Sequence, residues 1–438
     1  MNKFFRYGSN IILFLILLNT GIAVQAGEPV LDEIRAHVPM GITASFSGNP
    51  AKGFSVTWRT RTVVAAPVAQ VAPASANPAF AETADTVKAS CTFRSDDPGK
   101  GCAYEVHFTH LSPATDYAYR VGDGTTFSEW FDIKTAGDTS ASFRFLYLGD
   151  EQNYIKEKCS RSIRAAFLHA PDARFICHAG DLVAEGYDER LWRQWSDAMG
   201  FIAAVCPSLP TPGNHDMHRI NSETVRSVST PYRLQFALPM NGPAGIDALS
   251  EECYYVDYQG VRIISIDSNV YANDDFEATD KEKIAERQTK WLETVLKENS
   301  NRWTVVMHHH PLFSVGKARD YAELRETLMP IYDRYKVDLV LQGHDHHYGR
   351  THKIAGGKIV REDQSGTVYA VSVTGPKMYP PNPKHSHLMA KMAGDLQMYQ
   401  VIEVSDRRLL YQAFSIDGAL RDRFELKKNG RGETLLVE

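Results

Sequence analysis

The sequence predicts an α/β protein in which two stacked β-sheets flanked by helices follow an all-β sandwich. Between residues 27 and 136, short alternating strands are separated by Gly, Pro and Asp turns at the spacing of a sandwich. Between residues 137 and 438, apolar strand-like runs alternate with segments of helical spacing. Clusters of Asp, Asn and His follow several of these runs. Because ligands collect at the carboxyl ends of strands in open α/β sheets, the second pattern also predicts a binding site.

Residues Met1 to Ala26 have the features of a secretory signal peptide. Lys3 and Arg6 give a basic start, Ile11 to Leu18 is the apolar centre, and Val24 to Ala26 is a small-residue cleavage site. The apolar run is shorter than the roughly 20 residues that a membrane span needs. We therefore expect a secreted or periplasmic protein with no stable membrane anchor, and an uncleaved N-terminal anchor is the alternative.

Charge and cysteine content narrow the functional classes. The chain of 438 residues has a formal net charge of −5 and no block of Lys and Arg, which argues against nucleic-acid binding. Six cysteines are present, and an exported protein can oxidise them. Cys91 and Cys102 flank a turn-rich stretch, which makes a local disulfide plausible. Cys177 and Cys206 lie in apolar runs and read as buried thiols.

The strands of the N-terminal sandwich are recognised by alternation of apolar and polar residues. Phe54–Arg59 alternates in this way, and Ala103–Phe108 and Tyr117–Val121 are also strand-like. The stretch Ala65–Ala84 is rich in Ala, Pro and Val and has no charge before Glu82. We expect it to be a long surface loop.

The second domain contains repeated strand–helix–strand units. Apolar residues recur at helical spacing from 163 to 167 and from 284 to 296. Asp150 and Asp181 are 31 residues apart, and Asp181 and Asn214 are 33 apart, each close to one such unit of roughly 30 residues. Two successive units would set these three side chains at one edge of a parallel sheet. Further strands are predicted at Cys253–Tyr258, Val261–Ile266, Thr367–Val373 and Gln397–Val404.

Five short motifs carry the chemistry. They are Gly149–Gln152, Gly180–Asp181, Gly213–Asp216, His308–Pro311 and Gly343–His346. Taken singly, Gly-Asp after a strand is usually a helix-capping turn, and Gly-Asn-His-Asp can be a capped turn. A triple histidine at the end of an apolar run has no simple packing explanation, since buried imidazoles need partners. The five together favour a metal site with two ions.

Two metal ions about 4 Å apart neutralise a phosphate ester and lower the pKa of a bound water. Such a site needs one bridging carboxylate, and Asp181 is the candidate. The oxygen and nitrogen donors include no cysteine, which suits Fe, Mn or Zn without choosing among them. Asp150 and His346 are expected to complete the coordination of one metal ion. Asn214, His309 and His344 are expected to complete that of the other.

This series of motifs resembles the calcineurin-like metallophosphoesterases, and especially the purple acid phosphatase branch with its N-terminal fibronectin-III-like domain. The resemblance extends over nearly all of the mature chain, and its specificity lies in the five motifs. In the N-terminal part, the strands Phe54–Thr60 and Tyr117–Asp123 resemble the fibronectin-III-like domain. The metallophosphoesterase sandwich is then the fold implied for residues 137 to 438.

The resemblance implies in-line attack on phosphorus by a metal-activated hydroxide. The ligand roles carry over to the six residues named above, and His215 looks like the histidine that contacts the phosphate and protonates the leaving oxygen. The family pattern His-x-Pro selects His309 rather than His308, because Pro311 fixes the register.

Two positions depart from the pattern of the purple branch. That branch carries a tyrosine three residues after the second Asp, and its purple colour comes from this tyrosinate bound to ferric iron. This chain has Ala184 there. The first motif of the branch is Asp-x-Gly, whereas here Gln152 holds the third position and could offer its amide oxygen as a ligand.

The predicted function is that of a secreted metal-dependent phosphatase acting on a small phosphorylated monoester. A phosphodiesterase is the nearer alternative, and room for a second ester arm would depend on the loops Asn221–Ser250 and Lys377–Met392. A non-catalytic surface protein that binds through its β-domain is the more distant alternative. The sequence leaves the oligomeric state open.

Overall fold

The computed structural model describes residues 36–95, 101–219, 226–246, 249–272, 281–430 and 432–438. The predicted signal peptide lies outside these residues, as does part of the loop 221–250. The architecture has an N-terminal sandwich of two sheets and a second part with two larger sheets. The predicted fold class is therefore confirmed.

The N-terminal sandwich packs one sheet of order β1-β2-β6-β5 on another of order β4-β3-β7-β8. Alternating side chains of both sheets fill the space between them, and the rings of Phe54 and Phe108 contact Tyr119 of the facing sheet at centroid distances of 5.3 and 5.8 Å. The strands are β1 Met40–Ser45, β2 Phe54–Thr60, β3 Val68–Pro73, β4 Asp85–Lys88, β5 Ser90–Phe93, β6 Cys102–Phe108, β7 Asp116–Gly122 and β8 Phe131–Lys134.

The prediction of a long surface loop at residues 65–84 is wrong. Strand β3 lies at the centre of its sheet, paired with both β4 and β7, and a 3-10 helix covers Pro78–Thr83. The small side chains of Ala69, Val71 and Ala72 are buried in the sandwich core. Composition suggested a loop because charge is absent, but absence of charge also suits a central strand.

The prediction of a Cys91–Cys102 disulfide is also wrong, since all six cysteines carry free thiols. The pairing of β5 with β6 explains this, because Cys91 lies opposite Tyr104 and not opposite Cys102. Cys91 is exposed whereas Cys102 is buried. Cys177 and Cys206 are buried thiols, as expected.

The second part of the chain builds two seven-stranded sheets of mixed direction. The first has the order β11-β10-β9-β23-β24-β25-β26, and the second has the order β14-β15-β16-β17-β21-β18-β22. Strands β9, β10 and β11 run parallel, as do β15, β16, β17 and β21. Two short ribbons, β12-β13 and β19-β20, complete the sheets.

The strands of this part are β9 Phe143–Leu148, β10 Ile176–His178, β11 Ser208–Pro210, β12 Met217–Arg219, β13 Arg226–Val228, β14 Tyr254–Tyr258, β15 Val261–Ser265, β16 Trp303–Met307, β17 Leu339–Gln342, β18 Tyr348–Thr351, β19 Ile354–Ala355, β20 Lys358–Ile359, β21 Val368–Val371, β22 Met389–Ala393, β23 Met398–Val404, β24 Arg408–Ser415, β25 Leu420–Lys428 and β26 Thr434–Val437. The helices are α1 Ser160–His169, α2 Glu189–Met199, α3 Ile202–Val205, α4 Thr230–Arg233, α5 Asn269–Ala272, α6 Lys281–Lys297 and α7 Ala322–Tyr335. A π-helical turn at Ile155–Cys159 precedes α1, and a 3-10 turn at Ser386–Leu388 precedes β22.

The second sheet is buried on both faces, which explains its continuous apolar strands. Along β16, Val305 and Met307 join the core shared with the first sheet, whereas Val306 joins a core formed with α6 and α7. Successive side chains of a strand point to opposite faces, so one strand serves both cores. The Tyr147 hydroxyl of the first sheet bonds the Ala370 carbonyl of the second at 3.0 Å.

The N-terminal sandwich is joined to the second part by polar and aromatic contacts. The Thr57 hydroxyl donates to the Gln235 carbonyl and the Tyr119 hydroxyl to the Ala204 carbonyl, both at 2.7 Å. The ring of Phe46 packs on Phe175 and Tyr258 at 6.4 and 5.8 Å. Among the described residues, none of the helices is both long and apolar enough to cross a membrane.

Phe46→Ala should lower the free energy of unfolding by about 3–5 kcal/mol, because it removes a buried ring that bridges the two parts. Chemical denaturation measures this change, with Phe201→Ala as control, since Phe201 is 57% exposed. A loss at Phe46 no larger than that at Phe201 would show that the interface does not depend on this ring.

Candidate metal centre

The predicted metal ligands meet where the carboxyl ends of strands from both large sheets converge. Asp150, Asp181 and Asn214 follow β9, β10 and β11, three neighbouring parallel strands of the first sheet. The histidines follow strands of the second sheet, His309 after β16 and both His344 and His346 after β17. This is the edge of a parallel sheet at which ligands are expected to bind.

The donor atoms fall into two groups that share one residue. In one group are Asp181, His309 and His344, and in the other are Asp150, Asp181 and His346. Within each group one donor atom of every residue lies within 4.8 Å of the others, and all five residues are buried. Asp181 belongs to both groups, which is the position of a bridging carboxylate.

Two buried oxygen atoms at this site have no hydrogen-bond partner within the described structure. They are Oδ1 of Asp150 and Oδ1 of Asn214. Buried polar atoms are almost always satisfied, so each orphan calls for an explanation. The oxygen and imidazole donors and these two free oxygens fit a pair of metal ions.

Each candidate histidine ligand has one ring nitrogen engaged outward. His309 Nδ1 lies 2.7 Å from the Ala179 carbonyl, and His346 Nδ1 lies 3.1 Å from the Lys377 carbonyl. The Nε2 of His344 lies 2.5 Å from the Tyr321 hydroxyl. A carbonyl can only accept, so it fixes the proton on the nitrogen that faces it. The other nitrogen of His309 lies 3.2 Å from Asp181 and that of His346 lies 3.6 Å from Asp150, whereas Nδ1 of His344 lies 3.1 Å from His309 Nε2.

Burial governs the charge state of these groups. Burial raises the pKa of Asp150 well above its ordinary value, against the effect of His309, and the charge of Asp181 adds to the rise. Burial, and after it the charge of Lys377, lowers the pKa of His346 to about 3. Neutral imidazoles can bind a metal, and an ionised Asp150 requires a cation beside it.

Asp181 is held in its anionic form. Burial alone would raise its pKa, but the charges of His309 and His215 and hydrogen bonds from them bring it below the ordinary value. The Oδ1 atom accepts the His215 amide at 2.8 Å, and Oδ2 lies 3.2 Å from His309 Nε2. Asp181 in turn raises the pKa of His309 to about 9 against the effect of burial. Metal binding there would therefore release a proton.

Four of the candidate ligands have left-handed backbone conformations. The φ angles are 55° at Asp150, 54° at Asp181, 74° at His344 and 47° at His346. Such angles are uncommon outside glycine and cluster at functional sites. Gly213 permits the close approach at the centre, because a Cβ there would overlap the Asp181 carboxylate.

Hydrogen bonds of the Asp216 side chain connect the loop of the second motif to the loop of the third. Its carboxylate accepts the backbone amides of Asp181, Leu182 and Gly213 at 2.8, 3.0 and 2.9 Å. Glu151 is similarly buried, with Oε1 at 2.5 Å from His178 Nδ1 and Oε2 accepting Trp195 Nε1 at 2.8 Å. These contacts position the ligand-bearing loops without reaching the donor groups themselves.

The remaining predicted residues lie next to the donor groups. The Gln152 amide donates through Nε2 to Asp181 Oδ2 at 2.5 Å, and its Oε1 lies 3.5 Å from Lys377 Nζ. A half turn of the amide would exchange these two atoms. His215 is half-buried, with Nδ1 at 2.7 Å from the Ala184 carbonyl. Ala184 thus contributes its backbone at the place where the purple branch has a tyrosine ring.

The other two histidines of the triple motif point elsewhere. The Nδ1 of His308 lies 2.8 Å from the His310 carbonyl, and burial lowers the pKa of this imidazole to about 3. His310 Nδ1 lies 2.9 Å from the Ser268 hydroxyl, and the centroid of its ring lies 4.3 Å from that of His344, with the two rings tilted by 47°. Neither residue belongs to the two donor groups.

Two models of known families match this chain. The model of the calcineurin-like phosphoesterases matches residues 143–348, and the model of the purple acid phosphatase N-terminal domain matches residues 39–135. The chain therefore contains a calcineurin-like phosphoesterase domain preceded by a purple acid phosphatase N-terminal domain.

Several curated proteins are similar in sequence to this chain. An uncharacterized protein of Mycobacterium tuberculosis is 28% identical over 274 residues, which cover 57% of this chain and 51% of that protein. Acid phosphatase type 7 of Danio rerio is 27% identical over 295 residues, covering 57% and 59%. A purple acid phosphatase of Glycine max is 25% identical over 276 residues, covering 60% and 56%. The chain therefore spans little more than half the length of these relatives.

Solved structures show the same fold. Purple acid phosphatase PPD1 from seeds of yellow lupin, Lupinus luteus, superposes with a TM-score of 0.72 at 17% identity, covering 90% of this chain and 75% of that one. The structure of PhoD superposes with a TM-score of 0.67 at 13% identity, covering 92% and 93%.

The sequence patterns did not identify three residues that support the site, namely Asp216, Glu151 and Tyr321. Asp216 and Glu151 lie inside the motifs, next to candidate ligands. A search of the sequence for carboxylates that could accept the loop amides would have identified Asp216. Tyr321 lies 23 residues from His344 on a separate loop. No local pattern in the sequence marks that contact.

Asp216→Asn should weaken metal binding about 10- to 100-fold, as loss of an outer partner of a metal site typically does. The new amide group would face backbone N–H donors with a donor of its own. Metal affinity is measured by competition with a chelator, with the exposed Asp363→Asn as control. Unchanged metal affinity in a folded Asp216 variant would show that this carboxylate does not support the metal site.

Proposed function

We propose that this protein is an exported phosphomonoesterase that uses two metal ions held by the residues at the meeting point of the two sheets. One observation carries the proposal, namely that Asp181 belongs to both donor groups. The proposed ligands are Asp150, Asp181, Asn214, His309, His344 and His346, with Gln152 as an additional neutral ligand through its amide oxygen. Iron, manganese and zinc all suit these donors.

When bound, two such ions would neutralise the charge of a phosphate group and lower the pKa of an attacking water. The protein supplies the arrangement around them. Buried carboxylates and outward hydrogen bonds orient the donors, and the surrounding core excludes bulk solvent. A small phosphorylated substrate is the natural partner of a site of this kind.

His215 is proposed to act on the substrate and not to hold metal. Its amide binds Asp181, and the Ala184 carbonyl fixes Nδ1 as the protonated nitrogen, which leaves Nε2 for the substrate. With both nitrogens protonated, the ring can bind a phosphate oxygen and donate a proton to the leaving oxygen.

The proposal includes the organisation of the whole chain. Residues 1–26 would be a cleaved signal peptide, 27–136 a fibronectin-III-like domain and 137–438 the catalytic domain. The export signal and the match to the purple acid phosphatase N-terminal domain support this division. The mature protein would then act in the periplasm or outside the cell.

Turnover by the full chain tests the proposal directly. The protein, loaded separately with iron, manganese and zinc, should hydrolyse 4-nitrophenyl phosphate faster than bis(4-nitrophenyl) phosphate. Faster hydrolysis of the diester would make it a phosphodiesterase. A folded protein that binds no metal and hydrolyses neither ester would be the non-catalytic surface protein.

Asp181→Asn should reduce activity by about 100-fold or more, beyond the loss caused by Asn214→Ala. A shared carboxylate serves both ions and sets their separation, and asparagine removes its charge. Steady-state rates and metal content are measured on both variants. Near-normal turnover with two metals retained in Asp181→Asn would refute the bridging role.

His215→Ala should slow esters with poor leaving groups by about 10² to 10⁴-fold, the usual contribution of general acid catalysis. Activated aryl esters need less protonation of the leaving oxygen and should be slowed less. The comparison uses an alkyl phosphate and 4-nitrophenyl phosphate, with metal content measured as control. Equal slowing of both esters would leave His215 as a phosphate-binding group.

The active protein should lack the purple colour, even when it is supplied with iron. Ala184 has no phenolate to offer, and Gln152 is neutral and gives no charge-transfer band. A visible spectrum of the iron-loaded protein tests this expectation. An intense band that disappears on chelation would show that another tyrosine reaches the metal and that the ligand set is wrong.

A further inference from the structure

Three cationic side chains converge on one aromatic ring beside the candidate metal centre. Lys317 Nζ, the guanidinium carbon of Arg319 and Lys377 Nζ lie 5.2, 5.1 and 5.4 Å from the centroid of the Tyr379 ring. We call these four residues the Tyr379 cation cluster. The Tyr379 ring stands edge-to-face against His346, with centroids 4.8 Å apart.

The cluster is built by two loops that are bonded to each other. The Lys317 amide donates to the Pro380 carbonyl at 2.8 Å, and the Asn382 side chain donates to the Arg319 carbonyl at 2.9 Å. The Tyr379 amide donates to the His346 carbonyl at 3.2 Å. The backbones that carry the three cations are therefore fixed relative to His346.

The positive charge of the cluster is only partly balanced. Arg319 lies 3.8 Å from the Asp345 carboxylate and donates to the His344 carbonyl at 2.8 Å. In the part of the chain that the structure describes, no carboxylate lies within the ion-pair distance of 4.0 Å of Lys317 or Lys377. Contact with one aromatic face offsets little of the repulsion among three cations. This local excess of positive charge contrasts with the formal net charge of −5 of the whole chain.

The cluster borders the candidate metal centre and continues to the protein surface. The two donor groups enclose the place where a phosphate would be cleaved. The cluster extends from Lys377, whose Nζ lies 3.5 Å from Gln152 Oε1, to Lys317, which is exposed. A fixed group of cations at the mouth of a site concentrates anionic ligands there.

We propose that the Tyr379 cation cluster binds a second anionic group on the substrate. The preferred substrates would be organic phosphates whose alcohol part carries a carboxylate or a further phosphate. This inference rests on the proposed function, because it names the substrate class for the same site.

Turnover of matched substrates tests the inference. The metal-loaded full chain should show a kcat/KM for 4-carboxyphenyl phosphate about tenfold above that for phenyl phosphate, and 4-(phosphonomethyl)phenyl phosphate tests the phosphate-like arm. Lys317→Met and Lys377→Met should each lower this ratio about threefold or more, as loss of one exposed ion pair allows. Lys391→Met, at an exposed lysine of β22 outside the cluster, should leave the ratio unchanged.

Binding of phosphonates distinguishes this inference from the proposed function. Calorimetry with 4-carboxyphenylphosphonate and phenylphosphonate needs no catalysis and should give the same preference and the same dependence on Lys317 and Lys377. Tighter binding of the carboxylated phosphonate without turnover of any ester would contradict the proposed function but support the anionic subsite. Equal affinity for both phosphonates, or a preference that survives both substitutions, would overturn the subsite.

Discussion

The Asp181 carboxylate is the group on which the rest of the site depends. It belongs to both donor groups, and its two oxygens face the His215 amide on one side and His309 on the other. It also connects the two sheets, because Asp181 follows a strand of the first and His309 a strand of the second. Burying a charge is costly unless the charge is paired. The buried Asp181 carboxylate therefore requires positive charge close to it.

The surrounding structure serves mainly to hold that arrangement against its own strain. Asp150, Asp181, His344 and His346 all have left-handed backbones, each at a cost of roughly 1–3 kcal/mol. Asp216 offsets part of this cost by accepting loop amides. A site held in this way is already close to the geometry it needs, which limits the reorganisation required when a substrate binds.

The sequence predicted the fold class and the positions of most strands because the relevant signals are local. Alternation identified Phe54–Thr60, and the intervals between Asp150, Asp181 and Asn214 predicted the neighbouring strands that carry them. It failed at residues 68–73, because a short uncharged strand in the centre of a sheet looks like a loop in composition. It also failed for Cys91 and Cys102, since strand register is decided by distant pairing.

The candidate site was predictable to a similar depth. Residues that follow the ends of strands could be proposed as ligands because their chemistry is unusual at those positions, and the structure brings five of them together. The contact of Tyr321 with His344 and the convergence of Lys317, Arg319 and Lys377 on Tyr379 arise from loops far apart in the chain. Tertiary folding alone brings them together, so spacing in the sequence carries no sign of them. The proposed preference for substrates with a second anionic group depends on the cations that converge on Tyr379.

The proposed bridge of Asp181 between two metal ions is tested most directly by anomalous diffraction from a crystal of the metal-loaded protein. If Asp181 bridges two ions, two anomalous peaks should lie roughly 4 Å apart, with one Asp181 oxygen within bonding distance of both. Asp150 and His346 should lie beside one peak, and Asn214, His309 and His344 beside the other. A single peak, or two peaks that Asp181 does not join, would contradict the account.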